Sequence, residues 1–303
     1  MHNLLSNLSK IHNLAIETFK NDLHDAQNFF FYPRKPKTSD MMIIALSITA
    51  EAMSIDSENL LYGKIKKDYP ALFAILPHRC NYNRRKRNLR DQIDEFASRL
   101  IDRMNLSNLA CLIDSMPLPV CRIARAGRLK ILTDDSEMLP KTGYSAIDKN
   151  YFHGYKLHCL SSAEGPIVNF MLSHANTHDI KMLSDMTTGY IYKCTLIGDK
   201  GYISQQGQLD LFEKEEISLI TPPRKNSKNA ESQWGWHYRK KRKRIETTFS
   251  QFCDQFLIKR NYAKKFSGLF TRITAKIAAF TTLQYINWLN DRPLNQVKYA
   301  LSF

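Results

Sequence analysis

The chain has six cysteines in 303 residues but no C-x-x-C pair. That excludes the common zinc fingers and ribbons, and Cys80, Cys111, Cys121, Cys159, Cys194 and Cys253 read as reduced thiols set in apolar stretches. No glycine-rich phosphate loop is present, so ATP is not implied. There are no internal repeats and no low-complexity tracts. The longest apolar stretch, Ile273–Leu289, is too short for a membrane span and is interrupted by Lys276 and Gln284. Met1–Lys20 lacks the unbroken apolar run and small-residue cleavage site of a signal peptide. These absences leave the expectation of a soluble, cytoplasmic protein with no membrane partner. Acid is scarce as well: 29 Asp and Glu stand against 44 Lys and Arg, a net charge of +15. Polyanions are the usual partners of so basic a chain, and nucleic acid is the commonest of them. What is plentiful is core material, since 43% of the residues are hydrophobic.

Periodicity divides the chain near residue 107. Before it the pattern is helical: Leu4, Leu5, Leu8, Ile11, Leu14 and Ala15 recur at helical spacing. A basic loop, Tyr32 to Lys37, precedes a helix through Met41–Ala52 capped by Thr38 or Ser39, and another helix runs from about Ser57 to Lys67. The linker Met53–Asp56 makes this pair resemble a helix-turn-helix, a weak signal on its own. The block Asn83–Arg90 holds Arg84, Arg85 and Arg87, candidates for phosphate contact, and opens a helix to about Met104. After residue 107, short strands are expected at Leu109–Ile113, Tyr155–Leu160, Pro166–Ser173, Thr195–Gly198 and Ile217–Thr221, with helices at Gln205–Glu215, Lys240–Phe256 and Phe266–Leu289. Thr177 or Asp179 reads as a cap for a helix through about Met186, and Arg122–Asn150 as a polar segment rich in turns. The order predicts an α/β fold, a mixed sheet flanked by helices and preceded by an all-helical N-terminal domain. The expected domains are 1–107, helical and DNA-binding, and 108–303, catalytic.

Three carboxylates stand out. Asp114 and Asp199 each follow an apolar strand, which places them at the rim of a sheet, where open α/β sheets put ligands. Glu246 lies in a helical stretch amid Arg239, Lys240, Lys241, Arg242, Lys243 and Arg244. Carboxylates that hold a cation beside cations that hold phosphate suit phosphodiester chemistry. By spacing alone each Asp also reads as a turn former or helix cap, and Glu246 as the i,i+4 partner of Arg242.

The segments Leu112-Ile113-Asp114-Ser115-Met116-Pro117, Tyr155-Lys156-Leu157-His158, Ala175-Asn176, Ile197-Gly198-Asp199-Lys200-Gly201-Tyr202, Thr221-Pro222-Pro223-Arg224-Lys225-Asn226 and Arg244-Ile245-Glu246-Thr247-Thr248-Phe249-Ser250 resemble, in order, the motifs of insertion-sequence transposases of the IS982 family. The resemblance covers nearly the whole chain. It implies an RNase H-like catalytic domain with Asp114, Asp199 and Glu246 as a DDE triad. It also implies two Mg2+ ions per active site, with Mn2+ as a substitute. The implied activity is cleavage of DNA at the element's terminal inverted repeats, followed by strand transfer into target DNA. The implied assembly is a homodimer or a higher synaptic complex, in a bacterial or archaeal cytoplasm, associated with the nucleoid. Related transposases often carry a Tyr and an Arg before the glutamate and a Lys seven residues after it. Here Arg242 stands in the Arg place, Arg239 in the Tyr place beside Tyr238, and Cys253 in the Lys place.

Lys156, Arg224, Lys225, Arg242 and Arg244 are further candidates for DNA contact. Trp234 and Trp236 read as core residues more readily than as platforms for an unpaired base. His153 and His158 read as structural, and His174 and His178 as parts of a strand-to-helix loop. Two alternatives stay open: an RNase H-like structure-specific nuclease without strand transfer, and a catalytically inactive DNA-binding protein.

Overall fold

Leu4, Leu8, Ile11, Leu14 and Ala15 lie buried along one side of α1 (Leu4–Thr18), whose first turn is capped by the Asn3 side chain. The computed structural model describes residues 3–24, 27–107, 109–146, 148–223 and 235–301. Ser39 caps α2 (Asp40–Ala52), which is buried almost all round and forms the centre of the helical unit. Ser57 caps α3 (Glu58–Asp68) by accepting from Leu60 N. Pro70 starts α4 (Pro70–Ile75), the place in a helix where a missing N–H costs nothing. The single helix expected from Asn83 to Met104 is two helices, α5 (Arg79–Asn88) and α6 (Arg90–Met104), broken at Leu89.

The second unit is built on a six-stranded mixed sheet. Its strands are β1 (Ala110–Cys121), β2 (Lys141–Ser145), β3 (Asn150–Ser162), β4 (Ile167–His174), β5 (Thr195–Ile197) and β6 (Ser218–Ile220). The long strand β3 pairs with β1 along one edge; along the other it pairs first with β2 and then with β4. Beyond β1, β5 and β6 are parallel neighbours. Only β3 therefore runs against the others. Helices α7 (Leu183–Thr187) and α8 (Gln205–Glu215) help cover an apolar cluster that includes Cys111, Ile113, Leu196 and Leu219. Then α9 (Trp236–Asp254) buries Ile245 and Thr248, spaced to share one side.

Strand β1 is longer than its apolar core suggests, because Pro117 and Pro119 lie within it. Both fall in the stretch paired only with β3 among the described residues, where a missing N–H need not interrupt a second ladder. Strand β2 lies inside a segment expected to be turns. It has almost no apolar signal: only Gly143 and Ser145 are buried. Gly143 is needed for close approach, since a Cβ there would stand 2.0 Å from Ala175 O.

The compact units divide between Met104 and Asn105, and the C-terminal stretch joins the first of them. One comprises Met1–Met104 with Phe252–Phe303, the other Asn105–Gln251. The reason is α10 (Phe266–Leu289), which is buried from Leu269 to Tyr285 and packs against α2, α5 and α6. Its apolar run serves the core of the helical unit. No described helix is long and apolar enough to cross a membrane.

Candidate active site

The register of β1 and β5 brings two carboxylates together. Leu112 pairs with Ile197, the last pair of these parallel strands, and Asp114, within β1, and Asp199, just past the carboxyl end of β5, each lie two residues further on and so level with one another. Asp114 is 9% exposed, and its Oδ1 accepts from Ser115 N at 2.8 Å. Asp199 Oδ1 accepts from Gly201 N at 2.7 Å. Burial and, further, the charge of Asp199 push the Asp114 carboxyl up to about 7, against the opposing pull of Arg242. Burial likewise raises Asp199, and Asp179 adds to the rise.

Asp179 is the residue that sequence reasoning missed. Its place in the sequence predicts a helix cap, but it opens a 3-10 turn, Asp179–Met182, and its carboxylate lies near that of Asp199. Its Oδ1 accepts from Lys156 Nζ at 3.0 Å and from Ser115 Oγ at 3.1 Å. A Cβ built on Gly201 would lie 2.9 Å from Asp199 Oδ1 and 3.0 Å from Asp179 Oδ2, so glycine holds open the space between these carboxylates. The available signal was its position, just past the strand-ending His174-Ala175-Asn176 turn and beside His178. That is the same signal any helix cap gives. Gly201→Ala is expected to cost about a hundredfold in phosphodiester cleavage, with a melting temperature near that of the wild type, because the carboxylates must shift while the core is untouched. Cleavage rates and thermal melts of the purified variant check it.

Glu246 lies on α9 with its side chain half exposed, and it does not join a three-ligand cluster. Among the described residues, no group of three or more His, Cys, Asp or Glu side chains could hold a metal ion. Arg242 instead stands between the acids: its Nη2 is 3.3 Å from Asp114 Oδ2, and its Nη1 is 3.2 Å from Glu246 Oε1. The expected i,i+4 pair is thus present, and the same guanidinium also reaches the sheet. The donors are hard oxygens, with buried Asp114 and half-buried Asp199 close enough for one charge to raise the other's pKa, which is the chemistry that suits a divalent cation. The buried Tyr202 hydroxyl, which has no hydrogen-bond partner, lies in the field of Asp179, Asp114 and Asp199.

The DNA-contact candidates separate by their bonds. Arg84, Arg87 and Arg244 are exposed. Arg85 is taken up inside the helical unit, donating to Asp40 Oδ1 at 2.6 Å and to Thr38 O at 2.8 Å. Lys156 is held by Asp179 and Thr177 O. Arg224, Lys225 and Trp234 lie outside the described residues. Trp236 is 73% exposed rather than packed in a core, because it starts α9 on a polar stretch, and Lys240 Nζ sits 5.0 Å from its ring centroid. His158 is structural: it is fully buried and bonds Ser173 Oγ at 2.8 Å. Burial lowers its pKa to about 4, so its ring is neutral.

The family model described as transposase DDE domain matches residues 106–264, just over half of the chain. No curated protein and no solved structure matches.

Proposed function

We propose, since this chain belongs to the transposase DDE domain family, that it is the DNA transposase of an insertion sequence of the IS982 type. In this reading it binds the terminal inverted repeats and performs both strand cleavage and strand transfer. The observation that carries it is the level placement of Asp114 and Asp199 on adjacent parallel strands, with Arg242 linking Asp114 to Glu246. The sheet order β4-β3-β1-β5-β6, with β3 alone reversed, supports an RNase H-like fold.

Asp114, Asp199 and Glu246 would hold Mg2+ or Mn2+, two ions in the full site. When bound, these ions supply positive charge to the attacking and leaving oxygens. The residues do the rest. Asp114 and Asp199 are fixed by the sheet. Lys156 and Asp179 keep the neighbouring loop in place, with Ser115 as their link. Arg242 neutralises Asp114 and Glu246 in the free protein, and its fork fits a DNA phosphate, which would release both acids for the cation. Water breaks one phosphodiester bond and leaves a 3′-hydroxyl. That hydroxyl attacks a target phosphate, forming one P–O bond as another breaks. Neither step needs a nucleophilic side chain.

The test is a strand-transfer assay. A duplex ending in the element's repeat, already cut to expose its 3′-hydroxyl, is mixed with a supercoiled plasmid and MgCl2. Joined product is expected. Cleavage of uncut ends without any joining would favour the structure-specific nuclease, and binding without either reaction would favour the inactive DNA-binding protein.

A further inference from the structure

We propose that the helical unit carries a separate phosphate-binding cavity for the DNA backbone, built between the start of α3, one face of α5 and the start of α10. This rests on the reading of the chain as a DNA-binding protein, but it uses residues that lie outside the carboxylate site. The cavity measures about 740 Å³. Six cations line it, Arg79, Lys86, Arg87, Lys264, Lys265 and Arg272, against one carboxylate, Glu58.

The telling residue is Arg272. It is only 6% exposed, and its Nε and Nη1 have no hydrogen-bond partner. Its Nη2 donates to Asp56 O, while Nη1 stands 4.0 Å from Glu58 Oε2, too far for a hydrogen bond. Buried guanidinium donors are costly to leave unmade, and Arg272 is among the residues that line the cavity. Lys86 is similarly placed, 3.7 Å from Glu51 and 3.8 Å from Glu58 and so in hydrogen-bond reach of neither. Glu51 in turn is engaged by Lys276 at 2.5 Å. The local acids therefore do not satisfy the local cations.

Two further features match an anion. Lys265, at the N-cap of the 24-residue helix α10, makes no side-chain capping bond, and it lines the cavity together with Lys264, so the positive start of the helix lies at its edge. Gly268 in its first turn also lines the space and adds no side chain of its own. The exposed residues Arg87, Lys264 and Lys265 give the cavity a basic rim. A nucleobase has little to recognise there. Tyr262 is the one aromatic residue among the described lining residues, and the Arg272 guanidinium lies 5.6 Å from its ring centroid. Phosphate and sugar are the fitting occupants, and the volume has room for more than a single inorganic ion.

The test uses the full chain and a fluorescein-labelled duplex of random sequence, with binding followed by anisotropy across a series of NaCl concentrations. The exposed pair Lys264→Ala/Lys265→Ala is expected to weaken binding at least about tenfold and to lower the slope of log K against log salt by about 2, roughly 0.9 for each phosphate no longer neutralised. Lys20→Ala/Lys214→Ala, two exposed lysines away from the cavity, should leave both quantities unchanged. Arg272→Met should weaken binding as well, and its thermal melt shows whether it folds; if it does not, the lysine pair decides. Wild-type protein that fails to bind the duplex overturns the DNA-binding reading and the site together. Wild-type binding with an unchanged slope in the lysine pair overturns the site alone. Tripolyphosphate that raises the wild-type melting temperature, with duplex binding unaffected by the variants, would assign the cavity to a free polyphosphate and overturn the DNA assignment.

Discussion

Replacing Asp114 with asparagine is expected to lower strand cleavage by at least about a thousandfold and to leave duplex binding within about twofold, if the proposed transposase reading holds. The charge, not the shape, is what the substitution removes. Asp114 lies on β1 beside Asp199, with the Arg242 guanidinium as its cationic partner. The variant carries a second consequence, for stability. Burial holds the folded carboxyl at about 7, above its unfolded value near 3.9. A raised folded pKa means that the folded state binds its proton more tightly. The carboxylate therefore costs no stability below about pH 3.9, an increasing amount between that and about pH 7, and its full amount above. Asp114→Asn should accordingly melt higher than the wild type at pH 8 in chelator and alike at pH 4. The gain is bounded by about 4 kcal/mol and is reduced because the ion pair with Arg242 disappears. Thermal melts at the two pH values, run beside the cleavage assay, give both results. A variant that cleaves normally, or that melts lower at pH 8, would contradict the account.

Lys276→Met should destabilise the helical unit by about 3–5 kcal/mol, the usual cost of removing one partner from a buried ion pair. Lys276 lies on α10 with a 2% exposed side chain, and its Nζ donates to Glu51 Oε2 and to Phe256 O, each at 2.5 Å. Without it, among the described residues the buried Glu51 keeps Lys86, at 3.7 Å, as its cationic partner. Removing both charges, as in Lys276→Met with Glu51→Leu, should recover part of the loss, because the uncompensated carboxylate disappears. Urea unfolding of the three proteins by circular dichroism checks this. A loss below about 1 kcal/mol in the single variant would show that the pair is not what holds α10 against α2.

Much of the fold is legible in the chain because periodicity and caps act locally. Ser39 and Ser57 cap the helices that follow them, and the apolar runs at Leu112 and Leu196 are strands. What escapes such reading depends on contacts distant in sequence. Gly143 makes β2 possible by approaching Ala175, and no feature of Lys141–Ser145 announces it. The apolar pattern of α10 says that the helix is buried but not against what, and it packs with helices nearly two hundred residues earlier. The site divides in the same way. Asp114 and Asp199 can be read from the ends of two apolar runs, and register then sets them level, although β1 itself continues past Asp114 to Cys121. Asp179 cannot, because its role depends on Lys156 and Ser115 reaching it from β3 and β1. Arg85 looks like its neighbours Arg84 and Arg87, and its bonds to the buried Asp40 and to Thr38 O distinguish it.

The most direct measurement is a calorimetric titration of the metal-free protein with MnCl2, in the presence of duplex carrying the terminal repeat, for the wild type, Asp114→Asn and Asp199→Asn. Saturable binding by the wild type and loss of that binding in both variants is the expected result. Equal manganese binding by all three proteins would contradict a cation site made by these two aspartates.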